Sequence, residues 1–318
     1  MPLIAVLLLV LAAGLLVAGA ELFVDNLASA ARRLGVSVLA VAILLAGAEP
    51  EELLTAVLAA AQGRPGLAVG DAIGANVTML TAALGLAAVV RPLPVGHRTR
   101  LYAGGSVVAG LLAVLALRGG VSRLEGALLV GAYVALVALV WVKERTPPAI
   151  GELAELHDDD HDDDDDHDDD DDDRSPALAL LLVLLGLALM TGGGAAAVEG
   201  ATRLVDSTGS TDTAIGLTVL GLATTAELFA LVLAAARHGV EEVAVAAVVG
   251  SAAYNATLTL GAGALVTELP GTEALPAAVL AACLPLAVVA AGVRGRLGRP
   301  AGAGLLATYA MFVWFVLA

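Results

Sequence analysis

The chain has 318 residues, 59% of them hydrophobic, and a mean hydropathy of +0.90. Its apolar runs repeatedly reach the roughly 20 residues that a helix needs to cross a bilayer, which indicates a polytopic membrane protein and excludes a water-soluble globular domain. The formal net charge is −16, but 14 of the 32 acidic residues are the Asp residues between Asp158 and Asp173, and the other 18 nearly balance the 16 Lys and Arg residues. The acidity therefore belongs to one segment and gives no argument for nucleic-acid binding.

The apolar runs are blocks of Leu, Ala and Val without two-residue alternation, so they favour helices over the strands of a barrel. We predict an all-α polytopic membrane protein with about ten transmembrane helices. Breaks at Gly, Pro and Arg place the helices at about 3–31, 37–62, 67–90, 100–118, 122–143, 176–205, 212–237, 241–267, 272–293 and 300–318. The single cysteine, Cys283, cannot form a disulfide within the chain and is predicted to be a buried, small hydrophobic residue.

Basic residues are distributed unevenly over the connections between these helices. Connections after odd-numbered helices carry twelve Lys and Arg residues, whereas the others carry only Arg64, Arg118, Arg123 and Arg203. Cytoplasmic connections of membrane proteins are enriched in Lys and Arg. We therefore predict a multi-pass protein of the cell (inner) membrane with both termini on the extracytoplasmic side.

The segment 146–175 separates a first five-helix repeat, 1–145, from a second, 176–318. It carries His157, His161 and His167 among the Asp residues. Such a composition cannot build a core, so we predict a disordered acidic linker in the cytoplasm. Alternatively, the segment weakly concentrates divalent cations, although screening limits its field to about 8 Å at physiological salt.

The two halves resemble each other at an offset of about 175 residues. The motif from Gly47 to Glu52 corresponds to Leu222 to Glu227, and Gly74-Ala75-Asn76 corresponds to Gly250-Ser251-Ala252. With an odd number of helices in each half, the second copy lies upside down relative to the first. This is the inverted-repeat arrangement of secondary transporters, whose substrate site lies near the midplane between the repeats.

Three carboxylates and a proline interrupt the second predicted helix. A charge near the middle of a bilayer costs about 3 kcal/mol or more, so such residues usually face the protein interior and serve a pathway. Pro50 frees the carbonyl of Ala46, and Glu49 and Glu52 share a helix face, so we predict both glutamates as cation ligands. Glu51 points elsewhere and would lie behind the ligands or at a water-filled mouth. Alternatively, Glu49 only caps the half-helix that begins at Pro50.

The second repeat offers oxygen ligands on two predicted helices. Thr224 and Glu227 share a face of the seventh helix, and Ser251 and Asn255 share a face of the eighth. Alternatively, Thr224 bonds back to its own helix, while Ser251 and Asn255 only hydrogen-bond to neighbouring helices.

The third helix does not repeat this pattern. Ala75 and Met79 stand at the positions equivalent to Ser251 and Asn255, so the predicted site is asymmetric. Asp71 also belongs to this helix and lies close enough to the predicted membrane interface to be merely solvated.

The ligand types restrict the substrate. All five histidines lie outside the predicted helices, and carboxylate, hydroxyl, amide and carbonyl oxygens suit Ca²⁺, Na⁺ or Mg²⁺ rather than soft metals. Two or three buried carboxylates need a divalent ion, several monovalent ions or protons to balance them. Alternation of such occupants is antiport, so the predicted partners are inorganic cations, with no resident cofactor.

The motifs also resemble those of a known family. Gly19 to Asp25 and Ala31 to Ser37 are similar to the first helix and first turn of the sodium/calcium exchanger family, within the cation/Ca²⁺ exchanger superfamily. Gly47 to Leu53 stands where that family has Gly-Thr-Ser-x-Pro-Glu-Leu, and Gly74-Ala75-Asn76 where it has Gly-Ser-Asn. The second copies of both motifs extend the resemblance over the whole chain except the acidic segment.

This resemblance implies ten helices in two inverted repeats and a central Ca²⁺ site made by Glu52 and Glu227. It also implies flanking Na⁺ sites, with second-repeat oxygens from Thr224, Ser251 and Asn255. In the first repeat, Glu49 replaces the serine of the family.

We therefore expect a secondary antiporter, and not an enzyme, that exchanges Ca²⁺ or a similar hard cation for Na⁺ by alternating access. One alternative is a cation/H⁺ exchanger in which Glu49 or Glu52 titrates. Another is a non-transporting metal-binding membrane protein, which would tolerate loss of Glu52 and Glu227 but not of the acidic segment. An intramembrane hydrolase would need facing Asp or Ser/His pairs within the helices, and the sequence provides none.

Overall fold

The computed structural model describes residues 2–33, 49–144, 176–238, 241–292 and 295–318, and nearly all of these residues are helical. The first part of the predicted second helix and the acidic segment 146–175 lie outside the described residues. The helices are α1 (Pro2–Arg33), α2 (Pro50–Ala61), α3 (Pro65–Thr78, Met79–Ala83 and Leu84–Val90), α4 (His97–Leu117), α5 (Arg123–Glu144), α6 (Pro176–Thr208), α7 (Asp212–Ile215, Gly216–Leu220, Gly221–Thr224 and Ala226–His238), α8 (Glu241–Tyr254, Asn255–Thr259 and Leu260–Val266), α9 (Leu275–Ala291) and α10 (Arg299–Leu317).

Among the described residues, seven helices are long and apolar enough to cross a membrane, and α7, bent by 43°, makes an eighth. Helix α9 is a shorter apolar helix, and α2 begins next to residues outside the described ranges. The prediction of an all-α polytopic membrane protein with about ten helices is confirmed. The helix bounds follow the predicted ones closely because Gly, Pro and Arg end the apolar runs.

Helices α3 and α8 form the centre of the bundle. Of their membrane-spanning windows, 83% and 89% are buried, compared with 33% for α1 and 17% for α10. The outer helices expose large apolar side chains, such as Leu181 and Phe315, as lipid-facing helices do. Cys283 is likewise exposed, so the prediction that it is buried was wrong.

Short pairings between connections reveal a two-fold relation between the halves. Strand β1 (Leu93–Pro94) pairs antiparallel with β2 (Arg296–Leu297), which places Leu93 opposite Leu297. A separate bridge joins Val121 to Leu269. An offset of 176 residues relates Leu93 to Leu269 and Val121 to Leu297. The two pairings therefore join equivalent positions of the two halves.

Helix contacts follow the same relation. A Cβ on Gly85 of α3 would lie 3.0 Å from the carbonyl oxygen of Gly302 in α10, and one on Gly126 of α5 would lie 2.8 Å from that of Gly261 in α8. The same offset converts Gly85 into Gly261 and Gly126 into Gly302. Each central helix therefore packs on a peripheral helix of the other half, and the two halves interlock as repeats.

Both central helices change their hydrogen bonding at the same point. Met79–Ala83 in α3 and Asn255–Thr259 in α8 are π-helical segments, again 176 residues apart. In each, a threonine hydroxyl donates to the carbonyl four residues earlier, Thr81 to Val77 and Thr257 to Ala253. Such π segments occur frequently at functional sites because they redirect the side chains around them.

Glycines allow α3 to lie directly against α7. A Cβ at Gly70 would lie 2.7 Å from the Cα of Gly216, and one at Gly221 would lie 2.8 Å from the amide nitrogen of Ala75. The two backbones can approach this closely only without side chains between them. This contact places the middle of α3 beside the bend of α7.

Contacts between connections show which connections lie at the same end of the bundle. Arg64, between α2 and α3, forms a 3.0 Å ion pair with Asp212 at the start of α7. Both residues lie in connections that follow even-numbered helices, whereas β1 and β2 both follow odd-numbered ones. This agrees with the predicted alternation of connections. The assignment of these faces to cytoplasm and exterior stays a prediction from the basic residues.

Candidate cation site

The interior of the bundle contains five acidic side chains with almost no exposure to solvent. They come from the start of α2, from α3 and from α7, and they are Glu49, Glu51, Glu52, Asp71 and Glu227. Among the described residues, none of the buried polar or charged side chains is Lys, Arg or His. Buried carboxylates are strongly unfavourable unless protons, cations or basic groups balance their charge.

Glu49 links the two repeats. It precedes the first residue of α2, and its side chain does not cap that helix. Its Oε1 instead accepts a 2.6 Å hydrogen bond from the hydroxyl of Ser251 in α8. The alternative in which Glu49 only caps the half-helix is therefore wrong. The carbonyl of Ala46, expected to be freed by Pro50, lies outside the described residues and stays a prediction.

The bend of α7 stands at the position that corresponds to the start of α2. The helix bends by 43° at Thr225, and subtracting 175 from that residue number gives Pro50. No proline is present in this part of α7. Thr225 instead donates a 2.7 Å hydrogen bond to the carbonyl of Gly221. Glu227 follows the bend as Glu52 follows the start of α2, so both glutamates lie in the first turn of a helical segment.

Thr224 and Asp71 make a second contact between the repeats. The hydroxyl of Thr224 lies 3.0 Å from Oδ1 of Asp71 and 3.2 Å from the carbonyl of Leu220 in its own helix. Back-bonding is therefore only part of its role. Asp71 is fully buried, so the expectation that it is solvated near the interface was wrong.

Asn255 lies beside Glu52. Its Oδ1 accepts a 3.0 Å hydrogen bond from the hydroxyl of Thr259, which orients the amide. The amide group is close to the Glu52 carboxyl, although neither oxygen of Glu52 accepts a hydrogen bond of ordinary geometry. Ala75 and Met79, at the equivalent positions of α3, are buried and apolar, so the predicted asymmetry of the site is present.

Glu51 belongs to the interior rather than to a water-filled mouth. It is almost fully buried and interacts electrostatically with Glu227, Glu49 and Glu52. Tyr254 lies near it and packs edge to face on Tyr133, with ring centroids 5.4 Å apart. The sequence did contain a signal for this burial, the run Glu49-Pro50-Glu51-Glu52. When the first turn of a helix is surrounded by protein on all sides, every residue of that turn is buried, whichever face it is on.

The predicted ligands thus lie around one interior region, but they do not converge on a ready metal site. Among the described residues, no three His, Cys, Asp or Glu side chains are placed to hold a metal ion together. A hard cation here would draw on carboxylates together with hydroxyl, amide and main-chain oxygens.

Comparison with known proteins places this site in a family. The family model described as "Sodium/calcium exchanger protein" matches residues 4–142 and 178–318. The chain belongs to the sodium/calcium exchanger family. The resemblance of the paired motifs is therefore confirmed, and the family is one of membrane transporters.

Two curated relatives of this exchanger chain span most of its length. "Putative antiporter CaxA" from Alkalimonas amylolytica is 28% identical over 308 residues, which cover 93% of each chain. "Inner membrane protein YrbG" from Escherichia coli (strain K12) is 26% identical over 273 residues, 81% of each chain.

Solved structures of a sodium-calcium exchanger, NCX_Mj, share the fold of this family member. The form soaked with 10 mM Na⁺ and zero Ca²⁺ has a TM-score of 0.63 and 22% identity, and the match covers 99% of both chains. The form soaked with 10 mM Na⁺ and 10 mM Sr²⁺ has a TM-score of 0.64, 21% identity and the same coverage.

Proposed function

We propose that this chain is a secondary antiporter that moves Ca²⁺ or a similar hard cation across the inner membrane by alternating access. The observation that carries the proposal is the 2.6 Å contact of Ser251 with Glu49, which joins the two repeats beside Glu52. Family membership, the printed name of the relative CaxA as an antiporter, and the Na⁺, Ca²⁺ and Sr²⁺ soaks of NCX_Mj support it.

The proposed ligands are Glu49, Glu52, Thr224, Glu227, Ser251 and Asn255. They come from both repeats. Glu49, Glu52, Thr224 and Glu227 stand beside the start of α2 or the bend of α7, Asn255 opens the π segment of α8, and Ser251 lies one turn before it. Interrupted helices of this kind form the cation sites of inverted-repeat transporters. Glu52 and Glu227 would hold the divalent ion, because two carboxylates balance its charge. The other four residues supply hydroxyl, amide and carboxylate oxygens around that pair.

We further propose the organisation in which this site works. Residues 1–145 and 176–318 form inverted five-helix repeats, and 146–175 is a cytoplasmic linker. In an inverted-repeat transporter, rocking one repeat against the other exposes a central site to each side in turn. Both termini are proposed to lie outside the cytoplasm, in line with the positive-inside rule.

The coupling ion is Na⁺ or H⁺. The family resemblance favours Na⁺, since it implies flanking sites of neutral oxygens. One observation favours H⁺: α3 carries Ala75 and Met79 where α8 carries Ser251 and Asn255, while Glu49 adds a buried carboxylate. A carboxylate can exchange a cation for a proton on the same oxygen, which a neutral hydroxyl or amide cannot do.

Flux in proteoliposomes tests both levels of the proposal. Purified protein is reconstituted, and Ca²⁺ uptake is measured under an imposed Na⁺ gradient and then under a pH gradient. Uptake under either gradient supports antiport, and the more effective gradient identifies the coupling ion. Failure of both gradients would sink the exchanger proposal for Ca²⁺.

Two variants distinguish the antiporter from a non-transporting metal-binding membrane protein. Glu52→Gln should abolish uptake, whereas deletion of residues 146–175 should preserve it. A non-transporting metal-binding protein would give the reverse pattern in metal binding, since it would tolerate Glu52→Gln and lose its metal with the acidic segment.

A further inference from the structure

Asp71 was not among the predicted ligands, yet it lies fully buried in the most enclosed part of the bundle. Its Oδ1 is 3.0 Å from the hydroxyl of Thr224 in α7, and its Oδ2 has no hydrogen-bond partner. No basic side chain is buried among the described residues, so none of these residues offers the Asp71 carboxylate a counter-charge inside the bundle.

The Asp71–Thr224 contact is the counterpart of the contact between Glu49 and Ser251. Adding 175 to residue 49 gives 224, and α3 is the repeat equivalent of α8. In one pair, the residue before α2 supplies the carboxylate and α8 the hydroxyl. In the other, α7 supplies the hydroxyl and α3 the carboxylate. Each half of the site thus has one carboxylate–hydroxyl pair that crosses between the repeats.

Glu52 provides an independent indication that a ligand belongs near these pairs. It is fully buried, and neither of its carboxylate oxygens accepts a hydrogen bond of ordinary geometry. It interacts electrostatically with both Glu49 and Asp71. A buried carboxylate that interacts with two other buried carboxylates needs cations or protons nearby to balance the charge.

We propose that Asp71 joins Thr224 and Glu52 in a second cation position, beside the one proposed at Glu52 and Glu227. Its oxygen ligands suit a hard cation, Na⁺ or Ca²⁺. This inference rests on the proposed function and adds a ligand to it. Asp71 supplies the oxygen that Ala75, one turn further along α3, cannot supply.

Cation binding to the purified full chain tests this position. Isothermal titration calorimetry with CaCl₂ and with NaCl is run on the wild type, Asp71→Asn and Asp212→Asn. Asp71→Asn keeps the side-chain shape and an oxygen for Thr224 but removes the charge. Asp212→Asn is the matched control, because Asp212 lies at the surface end of α7 and pairs with Arg64.

Asp71→Asn should lose one cation-binding event or weaken it by about tenfold or more, while one event remains. Asp212→Asn should bind as the wild type does. Equal stoichiometry and affinity in wild type and Asp71→Asn would overturn the second position.

The two proposals fail in different ways. A wild type that binds cations and exchanges them, with an Asp71→Asn variant that behaves identically, refutes only the role of Asp71. A wild type that binds no cation refutes both. Asp71→Glu separates a role of the charge from a role of the aspartate shape. If the charge matters, this variant should recover the second cation-binding event. If only the shape of aspartate matters, the event should stay lost.

Discussion

Ser251 donates a 2.6 Å hydrogen bond to Glu49, a residue 202 positions earlier in the chain. A hydroxyl bonded to a carboxylate is among the stronger hydrogen bonds in proteins, and here it is shielded from water. It ties the start of α2 to the centre of α8. The first repeat therefore contributes a charge at the position where the exchanger resemblance expects a serine hydroxyl, and the second repeat adapts by directing its own hydroxyl to that charge.

Ser251→Ala should destabilise the protein and reduce transport. Loss of the donor leaves the buried Glu49 carboxylate without this bond, at a cost of about 1–3 kcal/mol. Thermal unfolding in detergent and Ca²⁺ flux in proteoliposomes measure the two effects. Ser207→Ala is the control, because its hydroxyl is exposed on α6 and bonds only to its own helix. Equal stability of both variants would contradict a structural contribution from the Ser251–Glu49 bond.

Glu227→Gln should abolish cation flux as completely as Glu52→Gln does. The two residues occupy equivalent first turns, and each supplies one charge to a divalent ion. The comparison is Glu199→Gln, which removes an exposed charge that pairs with Arg203 on α6. Wild-type flux from Glu227→Gln would show that the cation is not held by a glutamate from each repeat.

The helices and their approximate ends could be predicted from the sequence because hydropathy records burial in lipid directly. The predicted 67–90 and 272–293 became Pro65–Val90 and Leu275–Ala291. The repeat could also be predicted, since the offset between its motifs survives in residue types. The bend at Thr225 could not, because no proline marks it and the hydroxyl of Thr225 bonds to a carbonyl of its own helix.

The burial of Asp71 escaped prediction for a related reason. Distance from a predicted helix end indicates depth in the membrane, but it does not show whether other helices surround that level. Helix α3 is enclosed along most of its length, so even a residue in its second turn is buried. The π segments were also missed, since a change from four-residue to five-residue hydrogen bonding leaves no clear pattern in side-chain hydropathy.

Gly70→Ala should destabilise the contact between α3 and α7. The new Cβ would lie 2.7 Å from both the Cα of Gly216 and the carbonyl oxygen of Thr213, and both are backbone atoms that cannot rotate away. Overpacking of this kind costs about 1–3 kcal/mol. Gly104→Ala on α4 is the matched control, because its Cβ would meet no atom within 4 Å. We expect a lower unfolding temperature for Gly70→Ala alone. Equal unfolding temperatures of the two variants would contradict a contribution of the close contact between α3 and α7 to stability.

The double variant Ala75→Ser/Met79→Asn should move the coupling toward Na⁺. It gives α3 the hydroxyl and amide that Ser251 and Asn255 give α8, at positions that are buried and, for Met79 and Asn255, open equivalent π segments. Neutral oxygens coordinate Na⁺ without taking up a proton, so Ca²⁺ flux driven by a Na⁺ gradient should rise relative to flux driven by a pH gradient. Val77→Thr, which adds a buried hydroxyl on the opposite face of the same helix, controls for added polarity. If the ratio of the two fluxes is the same in wild type and double variant, the missing oxygens of α3 do not determine the coupling ion, and the carboxylates Glu49 and Asp71 become the residues to change next.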